Sequence, residues 1–261
     1  MLVLAGLVGS GNVYSKSNDR KDMSTSDSIL NRLNSDITAL IQKAKTDIKT
    51  LSGLSDSFTQ TYTLNDGQLS PDGKWKCLYK SQGTVESKYG GLYMTPKIAT
   101  APDQTYSCLV LSTKSFKNFQ LDCDMRTTKQ IRTGSQPNTW ETAWLFWRFT
   151  DEAPKSNHHY YFTLKTNGYE FGKKDNAPGD TTPEQQIFLK TGSTPAVKIG
   201  TYQHIIITAI DFHFVIKVDG VTVVDMIDTQ VNDTSKMSQG LIGMYTEDAS
   251  TVFDNVKLLA N

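Results

Sequence analysis

Two hydrophobic periodicities divide the chain. Leu30, Leu33, Ile37, Leu40, Ile41, Ala44, Ile48 and Leu51 recur at three- and four-residue steps, with Ser26 or Asp27 as N-cap and Gly53 just past the end. This is the signature of an amphipathic helix. It predicts one helix over residues 29–52, about six turns at 3.6 residues per turn. Positions 30, 33, 37, 40, 44 and 51 also fit a heptad seam, so the helix offers a route to a homo-oligomer, although three heptads fall short of a sustained coiled coil.

After Gly53 the period changes from 3.6 to two. Short alternating segments are separated by turn residues at Asn65-Asp66-Gly67, Pro71-Asp72-Gly73, Asn167-Gly168 and Asp219-Gly220. Strands are expected at 92–96, 107–112, 116–126, 142–150, 159–166, 169–174, 185–190, 202–210, 213–218, 221–226, 240–246 and 250–258. The clearest is the hairpin in which Phe214, Ile216 and Val218 lead through Asp219-Gly220 into Val221 and Val223. So many antiparallel strands predict an all-β, two-sheet sandwich over residues 53–261, preceded by the N-terminal helix. A chain of 261 residues accommodates such a sandwich as a single domain.

Charge narrows the partners. Lys plus Arg and Asp plus Glu both number 27, and there is no long basic run, so nucleic acid is not expected. Residues 1–15 open with the apolar Met1–Gly9, too short to span a bilayer but matching the apolar part of an export signal, although without a basic lead. Residues 16–28 are polar and read as a linker. The expected location is secreted or cell-surface. Cys77, Cys108 and Cys123 have no CxxC or histidine-rich spacing; one disulfide plus one thiol is open to them, with Cys123 reading as a small buried hydrophobe beside Leu121 and Met125.

From Asp56 to Leu258 the chain resembles the concanavalin A-like lectin and glucanase superfamily, and more narrowly its jelly-roll modules related to laminin-G-like and 3-keto-disaccharide hydrolase domains. The resemblance is carried by Asp56-Ser57-Phe58, Lys74-Trp75-Lys76, Gly90 to Met94, Phe116 to Leu121, Trp144 to Phe149, His159 to Phe162, Gly168 to Lys173, Val218-Asp219-Gly220, and above all Gly240 to Leu258. It implies a two-sheet jelly roll whose concave sheet holds a sugar. It also implies a structural calcium at Asp56 and Asp254, whose two carboxylates supply only part of the six to eight oxygens that calcium takes.

Strand alternation nominates the residues of a sugar site. In 142–150 it puts Trp144, Phe146 and Arg148 on one face; in 159–166 it groups His159 and Tyr161; in 116–126 it groups Asp122, Asp124 and Arg126. With Glu170 these form a floor of rings, carboxylates and cations if their faces share one sheet. Rings stack on sugar C–H faces and charged groups bind hydroxyls. The plain alternative is that the rings are core and that Asp124 with Arg126, or Arg148 with Glu170, are ordinary cross-strand ion pairs.

Three functions compete. A carbohydrate-binding, lectin-like module fits the resemblance and the lack of a recognisable catalytic pair. The second is a polysaccharide-cleaving enzyme, hydrolase or lyase: a hydrolase needs two carboxyl groups about 5–9.5 Å apart, but Glu141 stands alone and Asp122 with Asp124 is the nearest substitute. A lyase would use His158, His159, Tyr160 or Tyr161 as base with Arg126 and Arg148. The third reading is a structural surface protein assembled through residues 29–52.

Overall fold

The computed structural model describes residues 29, 31–38, 53–150, 158–178 and 186–260. The chain forms two compact units, Met1–Leu51 and Ser52–Asn261. In the first, residues 31–38 are helical (α1), and Thr38 Oγ1 donates to Asn34 O at 2.7 Å. The rest of the expected helix, the export-like segment 1–15 and the linker 16–28 lie outside the described residues. Among the described residues no helix is long and apolar enough to cross a membrane.

The second unit is the expected jelly-roll sandwich, built from sixteen strands: β1 (Leu54–Asp56), β2 (Tyr62–Thr63), β3 (Trp75–Tyr79), β4 (Thr84–Lys88), β5 (Gly91–Thr95), β6 (Ser107–Phe116), β7 (Phe119–Gln130), β8 (Ala143–Phe149), β9 (His159–Lys165), β10 (Gly168–Lys174), β11 (Gln186–Gly192), β12 (Gln203–Ile210), β13 (His213–Val218), β14 (Val221–Ile227), β15 (Gly240–Glu247) and β16 (Ala249–Ala260). A short helix α2 (Thr234–Met237) is capped by Asp233, whose side chain accepts from the amides of Ser235 and Lys236. One sheet runs β14-β13-β12-β7-β16-β5-β4-β2 with β1 added against β16; the other runs β11-β10-β9-β8-β15-β6-β3.

Period two explains the first sheet directly. Phe119, Leu121, Cys123 and Met125 of β7 and Ile205, Ile207 and Ala209 of β12 face inward and are buried, while the residues between them face out. Across the gap the second sheet contributes Trp147, Tyr160, Phe162 and Phe171, with Trp147 and Phe171 stacked 5.6 Å apart. Each such ring contributes about 1.5–3 kcal/mol by leaving water. All three cysteines are buried and free, so the disulfide considered above is not formed.

The second sheet departs from period two because β8 is buried at every position. Its outward side chains Trp144, Phe146 and Phe149 form a second apolar cluster with Leu109, Leu111 and Tyr161. Burial on both faces is what a near-continuous apolar strand implies. It also places an aromatic layer on the outside of the sandwich.

Candidate functional site

That outer aromatic layer is built by register. Tyr245 of β15, Trp144 of β8, Thr163 of β9 and Glu170 of β10 are successive cross-strand partners in one row. In the next row Phe146 pairs with Tyr161, and Tyr161 with Gly172. Phe146 lies between Tyr245 at 4.9 Å and His159 at 4.4 Å, with interplanar angles of 21° and 25°. These three rings are stacked face to face in a row. Trp144 meets this stack edge-on, at 90° to Phe146 and 85° to Tyr245, with its indole nitrogen donating to Trp140 O at 2.9 Å.

Trp144 therefore divides a groove in two. One compartment, about 580 Å³, is walled by Trp140, Phe188, Lys165, Glu170 and Thr191. The other, about 340 Å³, has the Phe146, Tyr245 and His159 rings with Tyr79, Phe149 and Lys174. Trp144, Gln186 and Glu247 line both.

The polar groups of the groove are held in place. Glu170 accepts from Tyr161 Oη at 3.1 Å and from Lys165 Nζ at 2.8 Å. Tyr161 reaches Glu170 over Gly172, where an added Cβ would lie 2.3 Å from the phenol oxygen. Glu247 accepts from Tyr245 Oη at 2.7 Å and Trp140 Nε1 at 3.0 Å. Burial raises the pKa of Glu247 above the ordinary carboxylate value, with nearby Asp248 and Glu141 adding to the shift and its two hydrogen bonds opposing it. Burial, then the Lys174 charge, keeps His159 neutral well below the usual imidazole range. Burial also pushes the Tyr79 phenol up to about 12.

Of the residues nominated from sequence, Trp144, His159, Tyr161 and Glu170 come together here. Arg148 does not. The register of β8 against β15 slips between Leu241 and Gly243, Arg148 adopts φ 54°, and its side chain turns into the interior. There it donates to the carbonyls of Met237 and Lys117, each at 3.0 Å, and of Asp211, and lies over the Phe212 and Phe214 rings. Phe149 takes the outward place instead. A bulge of this kind breaks alternation because two residues oppose one.

Asp122, Asp124 and Arg126 belong to the other sheet. On its outer face Asp124 contacts His204 Nδ1 at 2.7 Å and Asn255 Nδ2 at 2.8 Å, Asp122 accepts from Gln120 at 3.1 Å, and Arg126 lies 4.4 Å over the Tyr202 ring. The shared floor expected from sequence is thus two separate faces.

Asp56 turns the chain: its Oδ1 accepts from Phe58 N at 2.8 Å and its Oδ2 from Trp75 Nε1 at 2.9 Å. Asp254 Oδ1 accepts from Asn255 N at 2.6 Å. These two carboxylates supply only part of the six to eight oxygens that calcium takes. No group of three or more His, Cys, Asp or Glu among the described residues is arranged to hold a metal.

Trp140, Tyr245, Glu247, Tyr79, Phe188 and Lys174 join the site without having been nominated. Tyr245 and Glu247 alternate in sequence immediately after the Gly240–Met244 run. That spacing was the available signal.

Known proteins give a consistent fold. The family described as the 3-keto-alpha-glucoside-1,2-lyase-like domain matches residues 60–259. Among solved structures, beta-agarase B from Zobellia galactanivorans aligns at 9% identity over 79% of this chain and 91% of its own, with a TM-score of 0.54. A protein of galectin-like fold from Bacillus subtilis aligns at 9% identity over 79% and 98%, with a TM-score of 0.53. A carbohydrate-binding module from Bacillus subtilis aligns at 19% identity over 70% and 94%, with a TM-score of 0.45. No curated protein sequence matches.

Proposed function

The chain belongs to the 3-keto-alpha-glucoside-1,2-lyase-like domain family, and from that premise we propose that the outer groove of the seven-stranded sheet binds a carbohydrate. The observation that carries this is Trp144, which lines both compartments, with the stacked Tyr245, Phe146 and His159 rings on one side and Trp140 with Phe188 on the other. Sugar C–H faces stack on such rings, and Glu247, Glu170, Lys165 and Gln186 offer hydroxyl partners around them.

A two-carboxylate hydrolase is the less favoured use of the same groove. Glu247 and Glu170 stand on β15 and β10, three strand spacings apart, which is about 14 Å between the strands. Side chains rise roughly perpendicular to a sheet, so the pair starts wider than the 5–9.5 Å that glycoside hydrolysis uses. Glu170 is also committed to Tyr161 and Lys165.

The test is a broad glycan and polysaccharide array with the full chain, followed by product analysis on every positive. Retention without reducing ends or unsaturated products supports a binding module; products would replace it with an enzyme. Silence across the array would overturn the carbohydrate reading.

A further inference from the structure

The wall shared by the two compartments is held by a group the groove itself does not display. Trp140 of the larger compartment meets Glu247, which lines both, through an indole N–H to carboxylate bond of 3.0 Å, across 107 residues of chain. Each is the immediate neighbour of a buried acid: Trp140 of Glu141, Glu247 of Asp248. Both acids converge on one guanidinium. Arg132 Nε lies 2.5 Å from Glu141 Oε1 and Nη2 lies 2.6 Å from Asp248 Oδ2, with the three side chains almost wholly buried. The third edge, Nη1, donates to Ala101 O at 3.1 Å.

Backbone geometry makes the link stiff. Asp248 sits at φ 42°, between β15 and β16; its N–H donates to Tyr106 O and its carbonyl accepts from Ile131 N, each at 2.9 Å. Asn138 Nδ2 donates to Glu141 Oε1 at 2.8 Å, and Gln130 Nε2 to the carbonyls of Asn138 and Glu141 at 2.7 and 3.2 Å. Arg132 therefore ties together the segments that carry Trp140 and Glu247. A fork of this shape is something a lysine cannot reproduce.

We propose that Glu247 is the hydroxyl-binding carboxyl of the groove, at the junction of its compartments, and that Arg132 is its positioning residue, acting through Asp248 and Glu141. The choice of ligand for Glu247 rests on the carbohydrate reading; the positioning role of Arg132 does not. Carboxylates suit this task because an ionised carboxylate accepts hydrogen bonds from sugar hydroxyls and charge-assisted bonds are the stronger kind.

Glu247 is surrounded by titratable groups on every side. Tyr245 shares its strand, Tyr79 approaches from β3, Glu141 and Arg132 stand behind Trp140, Asp248 follows in the chain, and Lys165 and Lys174 line the compartments from β9 and β10. Asp248 and Glu141 push its proton affinity up, in addition to burial. Its ionisation therefore reports how well Arg132 compensates the two acids.

The experiment uses the full chain as wild type, Glu247→Gln, Arg132→Lys and Glu141→Gln. Tryptophan fluorescence is followed against pH without ligand, and calorimetry is done at neutral pH with maltose, cellobiose and trehalose as probes. The wild type should show a fluorescence transition above the ordinary carboxylate range that Glu247→Gln abolishes. Arg132→Lys should move it to higher pH, and Glu141→Gln, which removes a raising charge, should move it lower. A purely structural Arg132 would leave the midpoint where it is, which would overturn the positioning role. Where Arg132→Lys fails to fold, the double variant Arg132→Gln with Glu141→Gln takes its place: a midpoint above that of Glu141→Gln alone supports the positioning role, and an equal midpoint overturns it. For a probe bound by the wild type, Glu247→Gln should weaken binding tenfold or more, and unchanged affinity overturns the hydroxyl-binding role. If no probe binds, the hydroxyl-binding role is overturned for neutral disaccharides, while the fluorescence midpoints still decide the positioning role.

Discussion

Gly240 passes against the backbone of Arg148 so closely that a Cβ added to it would lie 2.4 Å from the Arg148 carbonyl carbon. This contact closes the β8 bulge that turns Arg148 inward and Phe149 outward. Gly240→Ala is expected to lose at least about 2 kcal/mol of stability through overpacking. Arg148→Met leaves three backbone carbonyls without their donor and is expected to lose about 3 kcal/mol or more. Urea unfolding checks both. Glycan affinity of folded Arg148→Met should stay near that of the wild type, and a selective loss of affinity would return Arg148 to the site.

His159 makes stability depend on pH. Unfolded, an imidazole titrates near 6.5; folded, burial and then Lys174 hold this one neutral well below that. As pH falls below 6.5 the unfolded chain takes up a proton that the folded chain refuses. Stability present above that pH is then lost, at up to about 1.4 kcal/mol per unit. His159→Phe removes this dependence. Urea unfolding at pH 7.5, 6.0 and 5.0 should show the variant gaining on the wild type as pH falls, whereas a constant difference would contradict the assignment.

Lys173 is buried between two acids, with Nζ 3.0 Å from Asp175 Oδ2 and 2.8 Å from Asp228 Oδ2. Asp228 also accepts from Tyr160 Oη at 2.8 Å, and Asp175 from the amides of Asn232 and Asp233 at 2.7 and 3.0 Å. This cluster pins the 228–233 segment beneath α2. Lys173→Met strands the two carboxylates and is expected to cost about 3–5 kcal/mol. Thermal unfolding measures it, and a change below 1 kcal/mol, on the scale of an exposed pair, would show that the cluster contributes little.

Much of the sandwich was readable because its long strands alternate. Phe214, Ile216 and Val218 of β13 are buried as their spacing predicts, and the same holds for β7 and β12. The strands β1 to β4 escaped because they are two to five residues long and interleaved with turn chemistry, leaving no period to detect. Arg148 was placed on the wrong face because a bulge is a matter of pairing, which a single strand does not display.

The candidate site was half legible for a related reason. Trp144, His159, Tyr161 and Glu170 lie on consecutive strands β8, β9 and β10, so local alternation groups them. Asp122, Asp124 and Arg126 alternate just as regularly, but β7 lies between β12 and β16 in the opposite sheet. Sheet order, not strand pattern, decides that. The Trp140 to Glu247 contact depends on long-range pairing as well.

Glycan binding by paired variants on the two outer faces tests the central claim most directly. Wild type, Trp144→Ala and Tyr202→Ala are compared by calorimetry against a glycan retained on the array. Trp144 divides the groove of the seven-stranded sheet, while Tyr202 stacks under Arg126 on the opposite face. Affinity should fall tenfold or more in Trp144→Ala and stay near wild type in Tyr202→Ala. Loss in Tyr202→Ala with binding kept in folded Trp144→Ala would place the sugar on the other sheet and contradict the account.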